Sequence, residues 1–236
     1  MDFVTDFASL TWLDGGFVTL MIVVWLWLGW WIEHPSASRP SVTVLMSEYR
    51  REWMRVMIDR QPRIFDAQIM DSLRQGTSFF ASTCLLAVGG VLALIGNVDP
   101  LRGVAEGITM AQSPAVIWQI KLGLVLLFLS NGFLKFVWSN RVFGYCSVMM
   151  SAVPNDVDDP RTRPMAAKAA ELNIRAAMNF NRGLRSMYFA LGSVAWMAGP
   201  WPLLVAIVLV AWLVWSREFT SIPRAILLDE RGYPKT

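Results

Sequence analysis

Long apolar runs alternate along this chain with stretches rich in arginine, aspartate and turn-forming residues. The first run, Phe17 to Ile32, reads FVTLMIVVWLWLGWWI and ends on two interfacial tryptophans, Trp30 and Trp31. A second fills Thr77 to Val98, a third begins after Pro114, and two more flank the breaker Gly199, Pro200, Trp201, Pro202. About twenty such residues, rising ~1.5 Å each, match a hydrocarbon core about 30 Å thick. The pattern predicts an all-α, polytopic transmembrane helical bundle of about five spans, near residues 17–33, 77–98, 115–137, 184–198 and 203–216. It reads as a single transmembrane domain over residues 1–236, because no linker and no repeat of fixed period divides it.

The polar stretches keep helical spacing. Leu45, Tyr49, Trp53 and Val56 recur on one face, with Glu48, Arg51, Glu52, Arg55 and Asp59 around the other. Pro40 is the expected start of this helix and Pro62 its expected stop. The next helix should begin near Arg63 and pass without a proline into the Thr77 to Val98 run, and the third should continue beyond Arg141 toward Pro154. Cytoplasmic helical segments are therefore expected at about 40–75 and 139–183. Ser78, Ser82, Gly89, Ala93 and Gly96 form a stripe of small residues that lets another helix approach closely, so a homo-oligomer is expected.

Charge orients the bundle. Lysines and arginines number none before the first run, seven in the first long connection, one in the next, seven from Ser139 to Arg185, none in the Gly199 to Pro202 turn and four in the tail. Under the positive-inside rule this alternation puts the N-terminus outside and the C-terminus in the cytoplasm. The start carries neither a basic segment nor a cleavage site, so the first run is expected to be a retained helix. With 55% hydrophobic and 17% charged residues the chain does not fit a soluble domain. Topology accounts for the net charge of +3, and no nucleic-acid partner is implied. The isolated Cys84 and Cys146 do not make a disulfide framework.

Candidate chemistry is sparse. Lys121, Asn131 and Lys135 point from one face of the third span, because at ~100° per residue the last two fall within roughly 80° of the first. A charged group in a span costs about 2.5–3.5 kcal/mol on insertion scales, so this face is a candidate solute pathway. The alternative is that Lys121 and Lys135 snorkel and that Asn131 bonds across helices. Asn140, Arg141, Asn181, Arg182 and Arg185 form a candidate basic cytoplasmic mouth, or else an anchor on lipid phosphates. The acidic loop Asn155 to Pro164 lacks the ligand order of a calcium loop, and His34 is the only histidine. No catalytic residue, metal site or cofactor is expected, and no nucleophile motif, phosphate loop or CxxC occurs.

Four runs together resemble a known family: DAQIMDSLRQGTSFFAST from Asp66, KFVWSNRVFGYCSVMM from Lys135, NFNRGLRSMYFALG from Asn179 and REFTS from Arg217. Their order and spacing are similar to the bacterial integral membrane proteins catalogued as domain of unknown function 599, over about Gly16 to Ser221. The resemblance implies a multi-pass protein of the bacterial cytoplasmic (inner) membrane and carries over no activity. The expected function is a non-enzymatic, oligomeric channel- or transporter-like bundle for a small anionic solute. The alternative is a membrane scaffold or accessory subunit docking a protein partner at the cytoplasmic face.

Overall fold

The computed structural model describes residues 11–99, 103 and 114–229, and among them every regular element is a helix. In chain order these are α1 (Trp12–Glu33), α2 (Val42–Met57), α3 (Ile64–Gly96), α4 (Ala115–Ala152), α5 (Thr162–Ser193), a 3-10 turn (Val194–Ala198), α6 (Pro200–Phe219) and α7 (Ile222–Leu228). The expected loop between the second and third spans, and the tail arginine and lysine at 231 and 235, lie outside the described residues.

Local chemistry sets the ends. Asp14 in the first turn of α1 reaches back to accept from the Thr11 amide at 2.9 Å and its hydroxyl at 2.6 Å, half of a capping box. Ser41 caps α2 by accepting from the Val44 amide at 3.2 Å, and its own hydroxyl donates to the Ile32 carbonyl at 2.7 Å. The helix ends at Met57, five residues before the expected stop at Pro62, and its last turn tightens through bonds from the Asp59 amide to the Val56 carbonyl and from the Arg60 amide to the Met57 carbonyl. Helix α3 starts next to Arg63 and runs unbroken for 33 residues, and α4 runs for 38, as the proline-free text requires. Gly199 adopts φ 122°, a conformation open to glycine, where the chain turns into α6.

Among the described residues four helical stretches are long and apolar enough to cross a membrane: α1, α3, α4 and residues Pro200–Leu228. Residues 184–198, expected as a span, are the end of α5 and the 3-10 turn and are not among these four.

The chain divides into two compact units, each taking a segment of every long helix. The first comprises the described parts of 1–29, 82–133 and 184–214. Its core is Met21, Leu124, Val125, Phe128, Phe189 and Ile207, with Trp25 edge-on to Phe128 at 5.3 Å. The second comprises 30–81, 134–183 and the described part of 215–236. Its core gathers Met54, Met57, Met70, Phe143, Cys146 and Met150 with the alanines of α5. Phe80, Phe136 and Phe180 form a separate aromatic trio in that unit, with centroids 5.4–5.5 Å apart. Gly183 makes room for the trio, since a Cβ there would lie 2.7 Å from the Phe136 ring.

Of the small residues in the α3 stripe, Ser78 accepts from Asn140 of α4 and the other four face away from the fold. Ser82, Gly89, Ala93 and Gly96 are all exposed, and a Cβ on Gly89 or Gly96 would meet nothing within 4 Å. Cys84 and Cys146 are buried free thiols.

Candidate functional site

In the first unit Lys121 is buried at 9% exposure, with its ammonium 5.3 Å from the Trp118 ring centre and 5.9 Å from that of Trp196. The Trp196 indole donates at 2.7 Å to Asp14, whose negative charge lies close enough to act on Lys121. Lysine, carboxylate and two indoles thus form one cluster, in which cation–π attraction and a carboxylate offset the burial of the charge. Asn131 donates to the Ser186 hydroxyl at 2.6 Å, tying α4 to α5. Arg185 is buried and packs its guanidinium 3.8 Å from the point where a side chain on Gly29 would start.

Arg185 of the expected basic mouth thus lies in the first unit, and the other four, Asn140, Arg141, Asn181 and Arg182, lie in the second, each engaging its own neighbour. Arg182 forms a two-pronged ion pair with Glu33, its Nε donating at 2.8 Å. Asn181 donates to Thr43 Oγ1 at 3.2 Å, and Asn140 donates to the Ser78 hydroxyl. Arg141 is exposed and donates to the Tyr145 hydroxyl one turn along α4. Lys135 is part-buried. Among the described residues no three His, Cys, Asp or Glu side chains gather as metal ligands would.

Sequence reading treated Arg63 and Arg74 only as topological charges, and they are the residues that line a cavity of about 350 Å³. Ser147, Ser151 and Asn155 supply further polar groups to it, and Met57 and Met70 an apolar wall. Arg63 donates to the carbonyls of Val153 at 2.7 Å and Pro154 at 2.9 Å, while its Nε is buried without a hydrogen-bond partner. Arg74 has no hydrogen bond or ion pair with any described residue, and the nearby acid Asp71 accepts from Gln75 at 2.6 Å. The spacing 63, 67, 70, 71 and 74 places all five α3-side residues on one helical face, a signal present in the sequence. Their convergence with Ser147 and Ser151 of α4 was not.

Charge around this unit is otherwise paired locally. Arg51 bonds Glu171 at 2.9 Å and Glu48 at 2.6 Å, and the Glu171 carboxylate raises its pKa. At the start of α5 the Arg161 side chain and amide hold the Asp159 carboxyl down at about 2.

With every regular element among its described residues a helix, and four apolar stretches of membrane-crossing length among them, the chain belongs to the class of integral membrane proteins. Its match to the description "Protein of unknown function, DUF599" extends over residues 17–223, and the chain belongs to that family. No curated protein and no solved structure matches it.

Proposed function

We propose that the protein is a five-span bundle of the bacterial inner membrane, N-terminus outside and C-terminus inside, that takes up or releases a small anionic solute through a cytoplasmic site. The observation carrying this reading is the cavity of about 350 Å³ with Arg63 and Arg74 in its lining. Arg74, which has no acidic partner among the described residues, and the buried Arg63 Nε–H without an acceptor offer an oxyanion donors in one place, while the Ser147 and Ser151 hydroxyls donate to the Phe143 and Ser147 carbonyls and would have to rotate to join them. The volume lies in the range of small-molecule sites. The Lys121, Asn131 and Lys135 face of α4 serves as the onward path, and the bare small-residue face of α3 supports assembly into a homo-oligomer.

Equilibrium dialysis of inorganic phosphate, sulfate and nitrate against the detergent-purified chain tests the site. Saturable binding that falls about tenfold or more in Arg74→Gln is expected, and no binding at millimolar anion refutes it. Flux of the bound anion through proteoliposomes, lost in Lys121→Met, tests the path.

A second reading has an observation of its own. Trp53, Val56, Phe65, Ile69 and Leu73 line a shallow, largely apolar hollow of about 510 Å³ between α2 and α3, a shape that suits a docked helix of a partner. Phe65→Asp would abolish such docking and leave anion binding intact.

A further inference from the structure

A second and smaller cavity, of about 220 Å³, lies among α2, α5 and α6 within the second unit, lined on its polar side by Thr43, Ser47, Arg50, Asn181 and Glu218. It holds one cation and one anion. Among the described residues neither Arg50 nor Glu218 forms an ion pair, with each other or with anything else.

Arg50 is part-buried, and its one hydrogen bond goes to the side-chain oxygen of Asn173, itself fully buried. Asn173 is neutral, and the neighbouring Cys146 is a thiol donating to the Ala169 carbonyl at 3.2 Å. A guanidinium has five N–H donors and Arg50 spends one. Burial without a carboxylate is costly for such a group, and it disfavours the charged form of Arg50. Glu218 accepts from the Thr43 amide at 3.0 Å and hydroxyl at 2.9 Å, which leaves about half of its four lone-pair sites open. The Asn181 amide reaches the same Thr43 hydroxyl and closes that side of the cavity. Met46, Ile174 and Met178 form the apolar remainder of the lining.

Opposite charges that share a cavity but do not touch are matched by a ligand carrying both. We propose that this cavity binds a small zwitterion of the α-amino acid class, its carboxylate on Arg50, its ammonium on Glu218 and its aliphatic side chain against Met46 and Ile174. A carboxylate meets arginine in a two-pronged arrangement, and an ammonium needs several acceptors, which Glu218 retains. The inference does not rest on the Arg63 and Arg74 cavity, whose lining residues are different.

The test uses the full-length chain in detergent with radiolabelled L-valine, competed by isobutyrate, which carries the acid alone, and by isopropylamine, which carries the amine alone. L-Valine should bind saturably and raise the melting temperature, and each half-ligand should compete about tenfold or more weakly. Glu218→Gln should bring valine and isobutyrate to equal affinity, Arg50→Gln should lose both, and Arg74→Gln should leave valine binding unchanged. Isobutyrate competing as well as valine in the unsubstituted chain would overturn the zwitterion, and so would no binding of valine at about 10 mM. Should Arg50→Gln fail to fold, the ligand series and Glu218→Gln decide alone.

Discussion

The first unit buries Phe128, Phe189, Met21 and Ile207 together with Asp14, Lys121 and Arg185, and Asp14 answers both Trp196 and Lys121 while Asn131 answers Ser186. The second unit is built from the continuations of the same helices and buries polar groups freely. There Asp66 is fully buried and accepts at Oδ1 from Trp53 at 2.6 Å and from Arg60, while its Oδ2 and the Arg63 Nε are left without partners. A bilayer offers no water to satisfy a stray donor or acceptor, so a span must be nearly free of them or pair them completely. Under the proposed topology the second unit meets water and can hold open charges, and open charges are what a ligand can use. The contrast teaches that a ligand-binding site in this protein is to be sought where the polar inventory is incomplete.

The largest expected effect sharpens that contrast directly. Phe143 and Phe128 are both buried, one in each unit. Phe143→Ala should cost about 3–5 kcal/mol, because the proposed cytoplasmic segment that carries it unfolds into water. Phe128→Ala should cost clearly less, since the unfolded span still lies in an apolar medium and only packing is lost. Equal losses in reversible detergent denaturation would break the distinction between the units.

Next comes Arg182→Ala, which takes the two-pronged partner from Glu33, whose side chain is only 7% exposed. A loss of about 2–3 kcal/mol is expected, below the value for a fully buried pair because the arginine is partly solvated. Arg182→Lys should recover only part of it, since a lysine cannot make both bonds at once.

Glycine substitutions probe the two environments at smaller cost. Gly183→Ala drives a Cβ into the Phe136 ring and should lower stability by about 1–3 kcal/mol. Gly89→Ala meets nothing and should leave the isolated chain within about 1 kcal/mol of its original stability. Gly89→Ile should change the oligomeric state seen by crosslinking if the α3 stripe is an interface, and leave it unchanged if that face meets only lipid.

The smallest effect is confined to acid pH. The Asp159 carboxyl is held at about 2, below its ordinary 3.8, so its contribution is present above that ordinary value and lost as pH falls through about 2. The difference in melting temperature between the unsubstituted chain and Asp159→Asn should therefore be constant above about pH 4 and shrink below it.

The helices were legible because their signals are local. Apolar runs of spanning length, the proline at Pro154 and the breaker at Gly199 to Pro202 are read in one dimension, and α1, α3, α4 and α6 contain the runs expected of them. The family resemblance carried by the run at Asp66 and its companions has the same origin, being a matter of order and spacing. The buried face of α2 was read only in part: of the expected Leu45, Tyr49, Trp53 and Val56, Tyr49 is exposed and the others part-buried, while Met54 and Met57 are the apolar side chains turned inward, and the helix closed at Met57 and not at Pro62.

The site was barely legible. Sequence reasoning weighed charges in spans and at span ends, counted Arg50, Arg63 and Arg74 toward topology, and gave Glu218 no role of its own. Nothing in one dimension distinguishes Arg50, held by the distant Asn173, from Arg51, which bonds Glu48 three residues away. The difference is one helical step of about 100°, which turns one side chain inward and the other to water. By itself the sequence determined the helices and the apolar stretches long enough to cross a bilayer, because hydrophobic length and chain breakers act within one segment. Only the tertiary structure decided that Arg182 would meet Glu33, 149 positions away, and that Arg50 and Glu218 would share a cavity with no partner between them. Which faces meet depends on the rotation and packing of every helix at once.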